Sequence, residues 1–244
     1  MDHGNRSMQG GSAPTNARDP HAYADGNTLD SGEYAQSGPR QLRLADEHNF
    51  GSLLVDRLEH IRTNDGANST AYDLQAWFGR DYDRLVIKAE GDYAKGQLQE
   101  ARTELLWGHA VANYWDAQLG VRHDSGVGPN RSWLALGIQG LAPYWFEVEA
   151  AAYLGEDGRS ALRLAADYDL LLTQRLILQP RAEFNLYGKR DLARNIGSGL
   201  SDGALGLRLR YEFSRQIAPY IGVERVEKFG QTADIARDAD ERVG

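Results

Sequence analysis

The sequence predicts an all-β protein, a transmembrane antiparallel up-and-down β-barrel preceded by a flexible N-terminal tail. Three observations predict it. From Asn49 onward, apolar and polar residues exchange places at every second position, which is the period of a β-strand. The alternating runs are about twice the roughly 5–6 residues usual in soluble sheets and match the roughly 9–11 needed to cross a bilayer at a tilt. The connections alternate between short and long, as in bacterial outer-membrane barrels with short periplasmic turns and longer external loops.

Composition narrows the class without naming a function. The chain has 244 residues, no cysteine and a formal net charge of −8. Disulfides, thiolate metal sites and cysteine nucleophiles are therefore excluded. The acidic balance and the lack of a basic patch with interleaved aromatics argue against a nucleic-acid partner. No apolar run is long enough for a transmembrane helix, which leaves a barrel open because its strands show lipid only every other side chain. Met1 is followed by Asp2 and His3 rather than by a basic and then an apolar region, so an outer-membrane destination implies a mature or trimmed form.

Residues 1–45 are rich in Gly, Ser, Asn, Asp and Pro and have no apolar period. They cannot bury enough apolar surface to offset their ordering entropy and read as a disordered periplasmic tail. The barrel then occupies 46–244, with eleven strand candidates near 49–61, 70–79, 84–95, 98–108, 114–124, 131–140, 144–155, 160–171, 175–187, 203–213 and 217–228. The seventh shows the alternation clearly: Tyr144, Phe146, Val148, Ala150, Ala152 and Leu154 oppose Trp145, Glu147, Glu149, Ala151 and Tyr153. In the third, Leu85, Ile87, Ala89 and Tyr93 oppose Lys88, Glu90 and Asp92.

Alternation does not say which face meets water, since a lipocalin-like soluble barrel shows the same pattern inside out. Two signs favour the membrane. Connections after even strands are short, as at Leu141-Ala142-Pro143 and Ser214-Arg215-Gln216, whereas 62–69, 125–130 and 188–202 are longer and polar. Aromatics also gather at the short turns: Trp77, Phe78 and Tyr82, then Trp107, Tyr114 and Trp115, then Tyr144 to Phe146, then Tyr211, Phe213 and Tyr220. Amphipathic rings favour the membrane boundary, so these read as the periplasmic girdle. Eleven strands leave an open edge, whereas single-chain bacterial barrels have even counts. The stretch Gln231–Gly244 reads as a further outer loop. The expectation is a twelve-stranded barrel whose last, closing strand is absent from this sequence; the alternative is ten strands with one segment misassigned.

The ladder resembles the copper resistance protein B family of Gram-negative outer membranes. The resemblance is carried by Asp19-Pro20-His21-Ala22-Tyr23, Asn49-Phe50-Gly51-Ser52-Leu53-Leu54-Val55-Asp56, Ala76-Trp77-Phe78-Gly79-Arg80-Asp81-Tyr82-Asp83-Arg84 and Gln139-Gly140-Leu141-Ala142-Pro143-Tyr144-Trp145-Phe146-Glu147. It continues through Leu186-Tyr187-Gly188-Lys189-Arg190-Asp191 and Ala218-Pro219-Tyr220-Ile221-Gly222-Val223-Glu224. The resemblance implies an outer-membrane barrel in periplasmic copper handling, beside a multicopper oxidase, and leaves the direction of copper movement open. The chain departs from the family pattern twice. Of the usual Met/His/Asp-rich N-terminal stretch only Met1, Asp2, His3 and Met8 remain, and the final strand closing on an aromatic residue is absent.

Copper(I) prefers thioether and imidazole, copper(II) imidazole and hard donors, so the eligible side chains are two Met and six His. Met1-Asp2-His3 has the spacing of an amino-terminal copper(II) clamp if Met1 carries a free amine. The metal-site expectation is Met1, His3 and Met8 in the tail with His48 and His60 on the first strand, whose parity with Asp56 suggests a lumen-facing row. His48 and His60 lie roughly 40 Å apart along an extended strand and cannot share one ion. His109 and His123 share parity with Leu105 and Val121 and read as rim residues. The charged face, including Glu90, Arg102, Glu104, Arg163, Arg181 and Arg208, reads as a lumenal network of ion pairs, either filling or a hydrophilic pathway. Two other functions stay open: a passive structural barrel without a metal site, and a barrel hydrolase. No strand serine sits beside a histidine in a way that suggests activation.

Overall fold

In a computed structural model, residues 48–64 and 66–239 are described, with three isolated positions at Asn16, Asp25 and Glu33. The expected tail over 1–45, with Met1, His3 and Met8, lies outside the described residues apart from those isolated positions.

The strands are β1 Phe50–Arg62, β2 Asn68–Gly79, β3 Asp83–Ala94, β4 Gln97–Ala112, β5 Trp115–Gly126 and β6 Arg131–Ala142. They continue as β7 Phe146–Gly155, β8 Ser160–Asp167, β9 Leu170–Leu171, β10 Leu176–Tyr187, β11 Gly199–Tyr211 and β12 Tyr220–Lys228. All pair antiparallel in one sheet, each with its neighbour in sequence, except that β8 and β9 both pair β10. The predicted strand 160–171 is thus one crossing interrupted at Tyr168-Asp169. The break lies opposite Pro180, which has no N–H to give the ladder. Eleven crossings result, and among the described strands β1 and β12 are each hydrogen-bonded on one side only.

The sheet curls until side chains of distant strands meet. Lys88 on β3 reaches Glu149 on β7, Arg163 on β8 reaches Glu90 on β3, and Arg208 on β11 reaches Asp56 on β1. One glycine shows how tight the curl is. A Cβ on Gly120 would stand 2.0 Å from the carbonyl oxygen of Leu105, so only glycine lets β4 and β5 approach so closely.

Burial decides the question that alternation left open. The enclosed face carries the polar side chains: Lys88, Arg102, Glu104, Arg122, Asp124, Arg163 and Arg208 are all buried. The outer face carries an exposed apolar band that includes Leu53, Leu58, Ile87, Leu105, Leu136, Leu154, Leu205 and Val223. A water-soluble barrel would place these the other way round. An apolar exterior around a charged interior is the arrangement lipid requires.

Three differences from the expected layout follow from local chemistry. First, the loop asymmetry is weaker than predicted. On the long-loop side β3 and β4 join through Lys95-Gly96 alone, and the asymmetry rests mainly on 188–198. On the other side the last hairpin spans 212–219, longer than expected, because its only bridge is Ser214 with Ile217 and Pro219 precedes β12. Second, the stretch read as an outer loop from Gln231 forms helix α1, Gly230–Asp238. Its Thr232, Ala233 and Ala236 are buried, and the Thr232 hydroxyl accepts from the Gly197 amide at 2.9 Å. Third, the aromatics divide. Phe78, Tyr82, Trp107, Tyr114, Tyr144, Trp145 and Phe213 are exposed at the short-turn end, but Trp77 and Trp115 line a cavity.

Candidate functional site in the lumen

The lumen is built by the odd or even face of every strand, so its contents follow from strand parity. At mid-height it is filled. Arg163 donates to both carboxylate oxygens of Glu183, at 2.9 and 2.8 Å, and to Glu90 at 3.2 Å. Arg102 lies 2.9 Å from Glu90 and 3.3 Å from Glu104. The Tyr153 hydroxyl donates to Glu104 at 2.8 Å. Arg122 donates twice to Asp124, at 2.7 and 3.0 Å, and its guanidinium stands 4.4 Å from the Tyr153 ring centre. Tyr153 has no exposed surface and Glu104 is 2% exposed. Opposite charges and aromatic faces therefore occupy the axis where a pore would run. The expected network of lumenal charge pairs is present, in the form of a plug.

Below the plug, toward the short-turn end, lies a cavity of about 340 Å³. Gln75, Trp77, Arg84, Asp116, Gln118, Gln139 and Glu147 are among its walls. Gln118 donates to Gln139 at 3.0 Å, and Arg84 pairs with Asp116 at 3.4 Å while standing 5.2 Å from the Trp77 ring centre. Glu147 sits directly opposite Asp167 in the β7–β8 register, so two carboxylates face the same interior.

Above the plug the 188–198 loop folds across to other strands. Asp191 accepts from Arg131 at 2.7 and 3.2 Å and lies 3.4 Å from Arg159. The hydrogen bond from Arg131 holds the Asp191 carboxyl below the usual carboxylate range. Lys189 donates to the Asp157 carbonyl at 2.9 Å, and Arg194 donates to the Pro129 carbonyl at 3.0 Å. The far end of the loop is tied to α1, where the Ser198 hydroxyl donates to Gln231 at 3.0 Å. The loop end of the lumen is thereby latched.

The two predicted metal ligands that lie among the described residues, His48 and His60, are not brought together. His48 is exposed at the foot of β1, its ring 6.5 Å from that of Phe50. His60 does not face the lumen. A register shift between Val55 and Arg57 inserts Asp56 as an extra residue, and one residue reverses every side chain beyond it. Arg57 and Glu59 then turn inward, opposite Asp73 and Ala71, while His60 shares the outer face with Leu58. The signal was present in the sequence, because Leu53-Leu54-Val55 is a run that period two cannot accommodate. The bulge aims Asp56 at two cations, Arg208 at 3.5 Å and Arg181 at 3.6 Å. His109 and His123 lie on the outer face near the strand ends, as parity predicted. Among the described residues no group of three or more His, Asp or Glu side chains is placed to hold a metal ion.

Comparison with known proteins adds what geometry leaves open. The family model for copper resistance protein B precursor (CopB) matches residues 49–244. A copper resistance protein B homolog of Pseudomonas syringae pv. tomato is 44% identical over 247 residues, covering 100% of this chain and 82% of the relative. The copper resistance protein B of Escherichia coli is 46% identical over 190 residues, covering 78% of this chain. The match covers 64% of that relative, slightly under two thirds of its length. Among solved structures, a KdgM porin is similar with a TM-score of 0.43 and 14% identity, over 73% of this chain and 89% of that one.

Proposed function

This chain belongs to the copper resistance protein B family, and from that premise we propose a non-catalytic outer-membrane barrel that contributes to copper resistance by binding copper at its periplasmic, short-turn end. Family membership supplies the copper; the geometry favours binding over free conduction. The observation that carries this preference is the mid-lumen plug, since Arg102, Arg122 and Arg163 and the carboxylates they pair with are buried across the axis and leave little open path for an ion. The acidic and amide-lined cavity below the plug is reachable from the short-turn end, where β1 also begins. The proposed ligands are Met1, His3 and Met8, which lie outside the described residues; His48 at the foot of β1 is a separate candidate. A periplasmic multicopper oxidase is the proposed partner on that side.

Copper titration of the refolded full-length protein tests this reading, against a variant carrying His3→Ala, Met8→Ala and His48→Ala. Stoichiometric binding that weakens at least tenfold in the variant supports it. Equal binding by both removes these ligands, and no binding by the wild type removes the metal-binding claim. A passive structural barrel is the second reading, favoured by the filled lumen and the lack of a three-ligand cluster among the described residues. It predicts copper uptake no greater than that of a metal-blind control barrel.

A further inference from the structure

One pair of side chains outside the lumen has metal-binding geometry that none of the preceding roles uses. Asp83, the first residue of β3, and His109 near the end of β4 are directly opposed in the ladder, on the outer face at the short-turn rim. His109 Nδ1 lies 2.9 Å from Asp83 Oδ1. The Trp107 indole N–H donates to the same oxygen at 3.0 Å and fixes the carboxylate. The Trp107 and His109 ring centres are 5.5 Å apart.

We propose that Asp83 and His109 form a two-residue copper(II) site at the short-turn rim of the barrel. Copper bonds of about 2.0 Å to nitrogen and oxygen, held at a right angle, separate the two donors by about 2.8 Å. The observed separation already meets that edge, and a turn of the imidazole that moves the Nδ1 direction off the Nδ1–Oδ1 line lets the ion take the place of the shared hydrogen. In the metal-free pair, Nδ1–H donates to the carboxylate. In the loaded pair, the neutral ring carries its proton on Nε2, and Nδ1 and Oδ1 hold copper. The side chains are 42% and 57% exposed, so water completes a tetragonal shell. One imidazole and one carboxylate favour copper(II) over other available divalent ions by the usual order of affinities. Both residues are supplied by the rigid β3–β4 ladder, so the pair is preorganised. The neighbouring basic residue, Arg84, points into the lumen and pairs with Asp116 rather than with Asp83.

This inference rests on the copper-handling reading and adds a site that uses none of the ligands proposed above and lies outside the lumen. The test is copper(II) titration of the refolded full-length barrel, read by tryptophan fluorescence and by the electron paramagnetic resonance spectrum. Copper quenches an indole at this range, and the Trp107 contribution is obtained by difference from Trp107→Phe. The expected result is saturable quenching of the Trp107 component, together with a one-imidazole signal obtained as the difference between the wild-type and His109→Gln spectra. His109→Gln and Asp83→Asn should each weaken that quenching at least tenfold, and zinc should compete only in large excess. His123→Gln, an exposed outer-face histidine near the opposite end of the wall, should leave it unchanged. Unaltered quenching in His109→Gln, or no copper-sensitive Trp107 component, overturns the site. If copper binds the wild type elsewhere while Trp107 is silent, this site falls and the family-based reading stands. If no copper binds at all, both fall.

Discussion

Arg163 is the hub of the mid-lumen plug, and its removal gives the sharpest measure of what the plug contributes. It is 4% exposed and makes two hydrogen bonds to Glu183 and one to Glu90. Breaking a buried ion pair by deleting one partner costs about 3–5 kcal/mol, chiefly because the remaining charge is stranded. Here the stranded carboxylates keep other partners: Glu183 retains Arg181 at 3.2 Å, and Glu90 retains Arg102 at 2.9 Å. The loss for Arg163→Gln should therefore fall near the lower end, about 3 kcal/mol. Glu183→Gln leaves Arg163 with Glu90 at 3.2 Å and Glu149 at 3.9 Å, and should cost about 2 kcal/mol. The double variant strands neither charge, so the two losses should fall short of additivity by about 1–3 kcal/mol. Urea unfolding in lipid vesicles, followed by far-ultraviolet circular dichroism, measures all three variants against the wild type. Single losses below about 1 kcal/mol, or strict additivity, would refute the claim that this cluster is a cooperative plug.

The Asp191 latch should loosen in Asp191→Asn, seen as faster hydrogen exchange across 188–198 than in the wild type. Its sign with pH is fixed: a carboxyl lowered in the folded state contributes fully above its ordinary value of 3.8 and fades as pH falls through the lower folded value. Wild-type protection should accordingly persist at pH 5, and a loop already unprotected there would contradict the latch. Tyr144 and Trp145 occupy the two central turn positions between β6 and β7 with φ of 67° each, a conformation that favours Asn-Gly. Replacing them with Asn-Gly should raise stability by about 1 kcal/mol, checked by thermal unfolding in detergent. His60→Leu should leave copper affinity unchanged and stability equal or higher, because the side chain lies on the apolar outer face. Weakened copper binding in that variant would restore His60 as a ligand.

Strand type, strand spacing and the charged inner face were all legible from period-two alternation, because a strand displays its two environments in strict turn. The seventh segment shows this well: Glu147, Glu149, Ala151 and Tyr153 face the lumen as a set. What alternation could not carry was any event that changes the count by one or brings remote strands together. The Asp56 bulge reversed His60, and only the register of β1 against β2 reveals the reversal. Helix α1 forms where its Thr232 meets Gly197 of the loop and Ser201 of β11, a contact with no local signature in a polar stretch. The Asp83–His109 pair is 26 residues apart in sequence and adjacent only across the ladder. By itself the sequence determined that this chain makes long antiparallel strands with one apolar and one charged face, and it carried the resemblance to a copper resistance family. The tertiary structure decided which face turns inward and that the lumen is filled. It also decided which donors meet, because curvature, register and cross-strand contact are properties of the curled sheet and not of any one strand.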